Sequence, residues 1–167
     1  MRRLLLLIVA LAAIGCGTLT GGGGDPSGAP GGRLAGRVVK IVDGDTIHVA
    51  IAGGRREKVR YIGIDTPESV KPGTPVQCFA KAASAENRRL VEGREVRLVE
   101  DLDAHDRYGR TLAYVYRKSD GLFVNAELVR RGYGKPLTIP PNVAHAAELR
   151  RLATEARRAG RGLWSRC

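Results

Sequence analysis

Acidic side chains collect at two places where predicted strands end. Asp43 and Asp45 follow the first predicted strand, and Asp65 and Glu68 follow the third. In a meander the first and third strands run in the same direction, so both pairs can lie at the same end of the sheet. Carboxylates that converge in a basic protein favour a hard cation such as Ca²⁺ or Mg²⁺, which prefers oxygen ligands. The competing interpretation is that Asp-Gly and Asp-Thr-Pro form ordinary turns.

Two arginines accompany these acids along the chain and could bind an anion. Arg60 lies on the third predicted strand, shortly before Asp65, and Arg110 follows Tyr108-Gly109 at the start of the fifth. A guanidinium group suits forked contacts with phosphate. The chain has 28 Lys and Arg residues, however, and most such side chains are solvated surface charges. Neither arginine alone therefore establishes a phosphate site.

The pattern of strands and helices that must position these side chains predicts an α+β domain. Period-two alternation and β-rich runs indicate five strands, and apolar residues near helical spacing indicate three helices. The predicted strands cover residues 37–42, 46–51, 58–64, 95–100 and 111–117, and the predicted helices cover 77–91, 123–131 and 143–159. Five strands with a helix after the third match the outline of a small closed barrel of the oligonucleotide-binding type, the OB-fold.

Residues 1–16 are typical of an export signal. Arg2 and Arg3 precede the uncharged stretch Leu4 to Ile14, whose 11 residues fall short of the ~20 that span a bilayer. Positive charge followed by a short apolar stretch is the order of a cleaved secretory signal. A buried N-terminal helix is the alternative.

The end of this segment resembles a bacterial lipoprotein signal. Small residues precede Cys16 in Ala13-Ile14-Gly15-Cys16, although Leu is more usual than Ala at position 13. The resemblance implies cleavage before Cys16 and lipid attachment to it, which would give a stable membrane anchor if several acyl chains are added. A plain secreted protein cleaved nearby is the alternative.

The glycine and charge counts divide the rest of the chain. Residues 17–32 hold eight of the 22 glycines and two prolines, so they predict a flexible tether with little to bury. Residues 33–167 form the predicted domain and keep 26 basic and 16 acidic residues, so nearly all of the net charge of +11 belongs to it. An excess of positive charge favours an anionic partner such as nucleic acid.

Export also changes what the cysteines indicate. If Cys16 carries lipid, Cys78 and Cys167 remain, and two cysteines in an oxidising compartment are a natural pair. Their disulfide would tie the predicted start of the first helix to the last residue of the chain. Two free thiols are the alternative.

An ordered set of motifs contains these acids and arginines and indicates their function more specifically than the single residues do. The motifs are Val42-Asp43-Gly44-Asp45-Thr46, Val59-Arg60, Ile64-Asp65-Thr66-Pro67-Glu68, Asp106-Arg107-Tyr108-Gly109-Arg110, residues 125–132 and Gly162-Leu163-Trp164-Ser165. Together, in this order, they resemble the staphylococcal nuclease (thermonuclease) family. The resemblance covers essentially all of residues 33–167, and the order is far more specific than any single motif.

The resemblance implies a calcium site. Asp45 and Asp65 would bind one Ca²⁺, and the backbone carbonyl of Thr66 would be a further ligand. Asp43 would hold waters or ligands from the outer shell, and Asp106 would support the site in the same indirect way. These roles are expectations from the family.

The resemblance also implies catalytic residues. Glu68 would orient or deprotonate the attacking water, while Arg60 and Arg110 would grip the phosphate and stabilise charge at phosphorus. Tyr108 would lie near the bound nucleotide. The stretch 136–141 lacks the paired tyrosines that the family's best-known member places before its last helix, which weakens the expectation of base stacking but leaves the metal chemistry unchanged.

The implied function is Ca²⁺-dependent hydrolysis of DNA and RNA phosphodiesters by an exported monomer. The family implies that water attacks phosphorus and that products carry 3′-phosphates. One alternative is a noncatalytic OB-fold nucleic-acid-binding protein of the cell envelope, which the basic surface supports equally well. Another is a structural envelope lipoprotein, against which the complete set of acids and arginines argues.

Overall fold

The structure is a computed structural model that describes residues 33–69, 73 and 75–167. The predicted export signal, the lipidation site Cys16 and the tether lie outside the described residues. No helix of the described residues is long and apolar enough to span a membrane.

The described residues form seven strands, five long and two short. They are β1 Arg33–Ile41, β2 Thr46–Ile51, β3 Arg56–Tyr61, β4 Ile64–Asp65, β5 Glu95–Val99, β6 Thr111–Arg117 and β7 Lys135–Pro136. The five longer strands close into a barrel in the order β1-β2-β3-β6-β5, with β5 pairing back onto β1. All neighbours are antiparallel except β3 and β6, which pair in parallel with Val59 opposite Thr111. The predicted five-stranded OB-type barrel is confirmed.

The inside of the barrel is filled by alternate residues of its strands. Ile47 and Val49 on β2, and Val59 and Tyr61 on β3, are almost completely buried, while the residues between them are more exposed. Period-two alternation of this kind points one face of each strand into the core. The interior of the barrel is therefore a packed apolar core, and the candidate polar residues lie outside it.

In the part of the chain that the structure describes, three α-helices and a final single helical turn accompany the barrel. They are α1 Ala80–Val91, α2 Val124–Arg130, α3 Ala146–Arg158 and α4 Leu163–Arg166. The three predicted helices are present, but α1 begins three residues later than predicted. Phe79, just before it, has a φ of 68°, a left-handed conformation that does not continue a helix. Gln77 and Cys78 therefore belong to the preceding loop, and the turn α4 was not predicted.

The third predicted strand ends earlier than its sequence suggests. The chain leaves the barrel after Tyr61 and turns at Gly63, whose φ of 81° suits glycine. Ile64 and Asp65 then pair with β7 outside the barrel. The turn at Gly63 therefore places Asp65 in a separate two-stranded sheet, outside the barrel.

A buried amide joins helix α2 to the barrel beside that turn. Asn125 is completely buried, and its Oδ1 accepts a hydrogen bond of 3.0 Å from the Val115 amide. Its Nδ2 donates to the Ile62 carbonyl at 2.9 Å. Asn125 therefore satisfies backbone groups that would otherwise be buried without partners and fixes the chain where it leaves β3.

A disulfide connects the loop before α1 to the C-terminus. Cys78 is bonded to Cys167, the pairing that the sequence indicated. The C-terminal turn is itself held against the domain, since the Leu163 amide donates to the Gly132 carbonyl at 2.9 Å. A side chain at Gly162 would approach that carbonyl oxygen to 2.3 Å, so glycine is required for the close approach.

Candidate active site

The loop after β1 presents the first pair of acids. The Val42 amide donates to the Thr46 carbonyl at 2.9 Å, and the Asp45 amide donates to Asp43 Oδ1 at 3.0 Å. A β-carbon at Gly44 would lie 2.7 Å from Thr66 Oγ1. Glycine at this position thus lets the acidic loop lie directly against the segment that follows β4, which brings the two acidic motifs together.

Asp45 is buried and held by several donors. Its Oδ2 accepts hydrogen bonds of 2.8 Å from both the amide and the hydroxyl of Thr66. Its Oδ1 accepts from the Thr46 hydroxyl at 3.1 Å and lies 3.2 Å from Arg60 Nε. A carboxylate with this many donors is fixed in one orientation.

Arg60 bridges the two acidic motifs. Besides Asp45, its guanidinium lies 3.0 Å from Asp65 Oδ1 and donates to the carbonyls of Tyr61 and Ile64 at 3.0 and 2.8 Å. Its side chain is only 14% exposed. Arg60 is thus part of the framework as well as a cation at the site.

Asp65 and Glu68 lie on the more open side. The Asp65 side chain is 61% exposed. Partial desolvation, joined by the charges of Asp45 and Glu68, raises the pKa of Asp65 despite the attraction of Arg60. The backbone of Glu68 is fixed at both polar atoms, because its amide donates to Gln77 Oε1 at 2.8 Å and its carbonyl accepts from the Gln77 amide at 3.0 Å.

These residues surround a small polar hollow of about 60 Å³, here named the acidic hollow. It is lined by Asp43, Asp45, Thr46, Arg60, Asp65, Thr66, Pro67, Glu68 and Arg110. Burial, and then the charge of Asp45, raise the pKa of Asp43 to about 6. Carboxylates crowded in this way attract a cation.

The donor set suits a hard cation that retains water ligands. Among residues 33–69, 73 and 75–167, no three histidine, cysteine or acidic side chains are close enough to hold a metal by themselves. Asp45 and Asp65 supply two carboxylates, and calcium sites complete their shell with carbonyl and water oxygens. Arg60 contacts one oxygen of each carboxylate. Asp65 keeps acceptor positions beyond the one that Arg60 uses, whereas Thr46, Thr66 and Arg60 occupy the four of Asp45, so a cation there would displace one of these donors. With that displacement the oxygen ligands fit Ca²⁺.

Arg110 reaches the hollow from the turn before β6. Its Nε lies 2.6 Å from Asp106 Oδ2. Asp106 Oδ1 also accepts from the amides of Tyr108 and Arg110 at 2.9 and 3.0 Å. Burial alone would raise the pKa of Asp106, but the hydrogen bonds from Arg110 and Tyr108 outweigh it and lower that pKa. Asp106 thus stays ionised and orients Arg110.

A larger cleft of about 520 Å³ adjoins the acidic hollow. Arg60 and Arg110 line both spaces, so they form the border between them. Tyr108 is 69% exposed on the cleft's rim, and its ring lies against Arg107, whose Cζ is 4.8 Å from the ring centre. The lining of the cleft also includes the aliphatic residues Leu112, Leu137 and Ile139.

The sequence-predicted residues of both motifs meet, but two supporting residues were missed. Asn87 is completely buried on α1, accepts from the Tyr61 hydroxyl at 2.9 Å and donates to the Asp43 carbonyl at 3.0 Å. Its position on the apolar face with Ala80 and Ala83 was a usable signal, because a polar residue there needs a buried partner. Gln77 carried no such signal.

The chain is similar to known nucleases over most of its length. A model of the family described as Staphylococcal nuclease homologue matches residues 58–166. Over 129 residues, 77% of this chain, it is 40% identical to the Thermonuclease of Staphylococcus intermedius and 36% identical to that of Staphylococcus hyicus, covering 75% of each. It is also 37% identical to Endonuclease YncB of Bacillus subtilis (strain 168), of which it covers 60%. The chain therefore belongs to the staphylococcal nuclease family.

Proposed function

We propose that this chain is a Ca²⁺-dependent nuclease that hydrolyses DNA and RNA through attack of water on phosphorus. That it is a phosphodiester hydrolase follows from its family and from its thermonuclease and endonuclease relatives. The observation that carries the finer proposal is the acidic hollow, where oxygen ligands and two arginines meet beside a cleft. Products with 3′-phosphates are expected from the family resemblance.

The metal would be held by the acids of the hollow. Asp45 and Asp65 would supply carboxylate oxygens and Thr66 its backbone carbonyl, while Asp43 would hold waters from behind. When bound, Ca²⁺ would polarise a phosphate oxygen and neutralise charge that develops on it. The side-chain hydroxyl and amide of Thr66 both bind Asp45, which supports a pre-organised ligand set.

Glu68 would activate water. Glu68 lines the acidic hollow and follows the proposed ligands Asp65 and Thr66 closely in the sequence. A carboxylate within hydrogen-bond reach of a water can orient that water and take its proton. Arg60 and Arg110 would grip the phosphate from the border with the cleft. Their guanidinium groups would stabilise the charge that grows on the phosphoryl oxygens without any proton transfer.

The adjoining cleft would hold the nucleotide. Tyr108 on its rim offers a ring to a base, and the lining also offers the aliphatic side chains of Leu137 and Ile139. Tyr61 also lines the cleft but is almost completely buried, so the exposed ring of Tyr108 and the aliphatic side chains support weaker base stacking than several exposed rings would. We expect a monomer to be active, because one chain supplies every residue of the proposed site.

Hydrolysis of single-stranded DNA by the purified domain tests the metal requirement. We expect full activity with Ca²⁺ and loss of nearly all activity when a chelator removes it, because one charge-stabilising contact is typically worth about 10²- to 10³-fold in rate. The same assay with RNA tests the substrate range. Equal activity with chelator contradicts the Ca²⁺ proposal. Binding of DNA without hydrolysis at any Ca²⁺ concentration would favour the noncatalytic OB-fold alternative.

We further propose that the enzyme is exported and anchored through lipid on Cys16. In detergent phase partition, the full-length protein made in a bacterium is expected in the detergent phase, because several acyl chains anchor stably. The Cys16→Ser variant is expected in the aqueous phase with unchanged nuclease activity. Wild-type protein in the aqueous phase would instead indicate plain secretion.

A further inference from the structure

Gln77 closes the loop that begins at Glu68. The Gln77 side-chain oxygen accepts from the Glu68 amide at 2.8 Å, and the Gln77 amide donates to the Glu68 carbonyl at 3.0 Å. One residue thus satisfies both backbone polar groups of Glu68.

Gln77 is in turn held from the far end of the chain. The next residue, Cys78, is joined to Cys167 by the disulfide. The residue after it, Phe79, stacks on Tyr133 with ring centres 5.3 Å apart. Since the C-terminal turn is bonded to the Gly132 carbonyl, residues 77–79 are fastened to the α2–β7 region rather than to the barrel alone.

Glu68 is therefore held on both sides. Toward the N-terminus, Thr66 is bound to the buried Asp45. Toward the C-terminus, the two Gln77 contacts hold the backbone of Glu68 itself, and the hydroxyls of Ser69 and Ser84 on α1 lie 3.3 Å apart. A catalytic carboxylate must lie within hydrogen-bond reach of its water, and a misplacement of 1 Å can cost about 10²-fold in rate.

We propose that Gln77 is a positioning residue for Glu68 and that the Cys78–Cys167 disulfide holds Gln77 in place. The inference rests on the role of Glu68 in the proposed function. It assigns to the disulfide a part in catalysis, through the loop, in addition to any contribution to stability.

A matched pair of substitutions tests the side-chain contact. Gln77→Met keeps the length of the side chain but removes the acceptor, and we expect kcat for single-stranded DNA to fall roughly 10-fold or more. KM and the Ca²⁺ concentration for half-maximal activity should stay unchanged, because Asp45, Asp65 and Tyr108 are not touched. Gln77→Glu keeps an acceptor oxygen and should restore most of kcat, measured well above the ordinary pKa of a carboxylate.

The same substitution in a Glu68→Gln background shows whether Gln77 acts through Glu68. If it does, Gln77→Met lowers kcat in the wild-type background and has no further effect in Glu68→Gln. An equal fall in both backgrounds, or none in either, overturns the proposal while leaving the proposed function intact. If Glu68→Gln itself has full activity, the proposed role of Glu68 is wrong and the positioning role is wrong with it.

The disulfide is tested by the double variant Cys78→Ser/Cys167→Ser. It is assayed at a temperature where circular dichroism shows it folded. We expect a fall in kcat in the same direction as for Gln77→Met, without a change in KM, and again no further fall in the Glu68→Gln background. Wild-type kcat in the folded double variant would overturn the part of the proposal that concerns the disulfide.

Discussion

Replacing Glu68 by Gln is expected to lower kcat for single-stranded DNA by about 10²- to 10⁴-fold, the range that general-base catalysis contributes. The amide cannot accept a proton from water, although it keeps the size of the side chain. Folding should change little, by about 0.5 kcal/mol or less, because the substitution keeps the backbone amide and carbonyl of residue 68, which both bind Gln77.

The control is Glu155→Gln on the exposed face of α3. Glu155 forms a surface ion pair with Arg151, so its loss should leave activity unchanged and stability nearly so. Initial rates across a Ca²⁺ titration, with urea unfolding of each variant, separate catalysis from folding. A Glu68→Gln enzyme with more than a tenth of wild-type kcat would contradict the assignment of Glu68 as the base.

Strand alternation and the motifs predicted both the barrel and the meeting of the two acidic clusters. The strand predicted over residues 46–51 has the same bounds as β2, because its inward residues Ile47 and Val49 fill the core. The motif Asp43-Gly44-Asp45 was informative because its glycine is required where the loop meets Thr66. At both positions the residue types that suit the local conformation are also those that the tertiary contact requires, so the sequence alone predicted them.

Contacts between distant segments were not predictable in the same way. Residues 62–64 were assigned to the third strand because their residue types suit it, but the turn at Gly63 carries Ile64 out of the barrel to pair with β7. The contact of Gln77 with Glu68 joins residues that are nine positions apart in a loop, and a loop has no residue periodicity from which the contact could be predicted. The strand propensity of a segment depends on its own residues, and several conformations can suit them equally. Pairing with other segments then determines which of these conformations the folded protein adopts.

The two arginines of the site should differ in what their removal costs. Arg60→Ala is expected to lower kcat by about 10²- to 10³-fold and also to lower the free energy of unfolding by about 3–5 kcal/mol. The stability loss follows from burial, because the substitution leaves the buried Asp45 carboxylate without its cation. It also leaves the carbonyls of Tyr61 and Ile64 without this donor.

Arg60→Lys should rescue little of either loss. An ammonium group is a compact charge, whereas the planar guanidinium of Arg60 reaches two carboxylates and two carbonyls at once. The lysine variant should therefore keep the net charge but stay close to the alanine variant in urea unfolding. That outcome would show that geometry, rather than charge alone, is what the fold requires at this position.

Arg110→Ala should lower kcat by a similar factor but reduce stability by only about 1 kcal/mol. Its side chain contacts Asp106 at the edge of the site, and Asp106 still accepts hydrogen bonds from the backbone amides of Tyr108 and residue 110 after the substitution. The turn that precedes β6 is therefore retained.

Measurements of kcat and of the free energy of unfolding for the two alanine variants test whether the two arginines differ in this way. Equal stability losses would contradict the division of roles, and wild-type kcat in Arg110→Ala would show that Arg110 does not contact the phosphate. Because Arg60 is part of the framework as well as a proposed phosphate contact, Arg110→Ala is the variant that measures the catalytic contribution of one guanidinium with little change in folding.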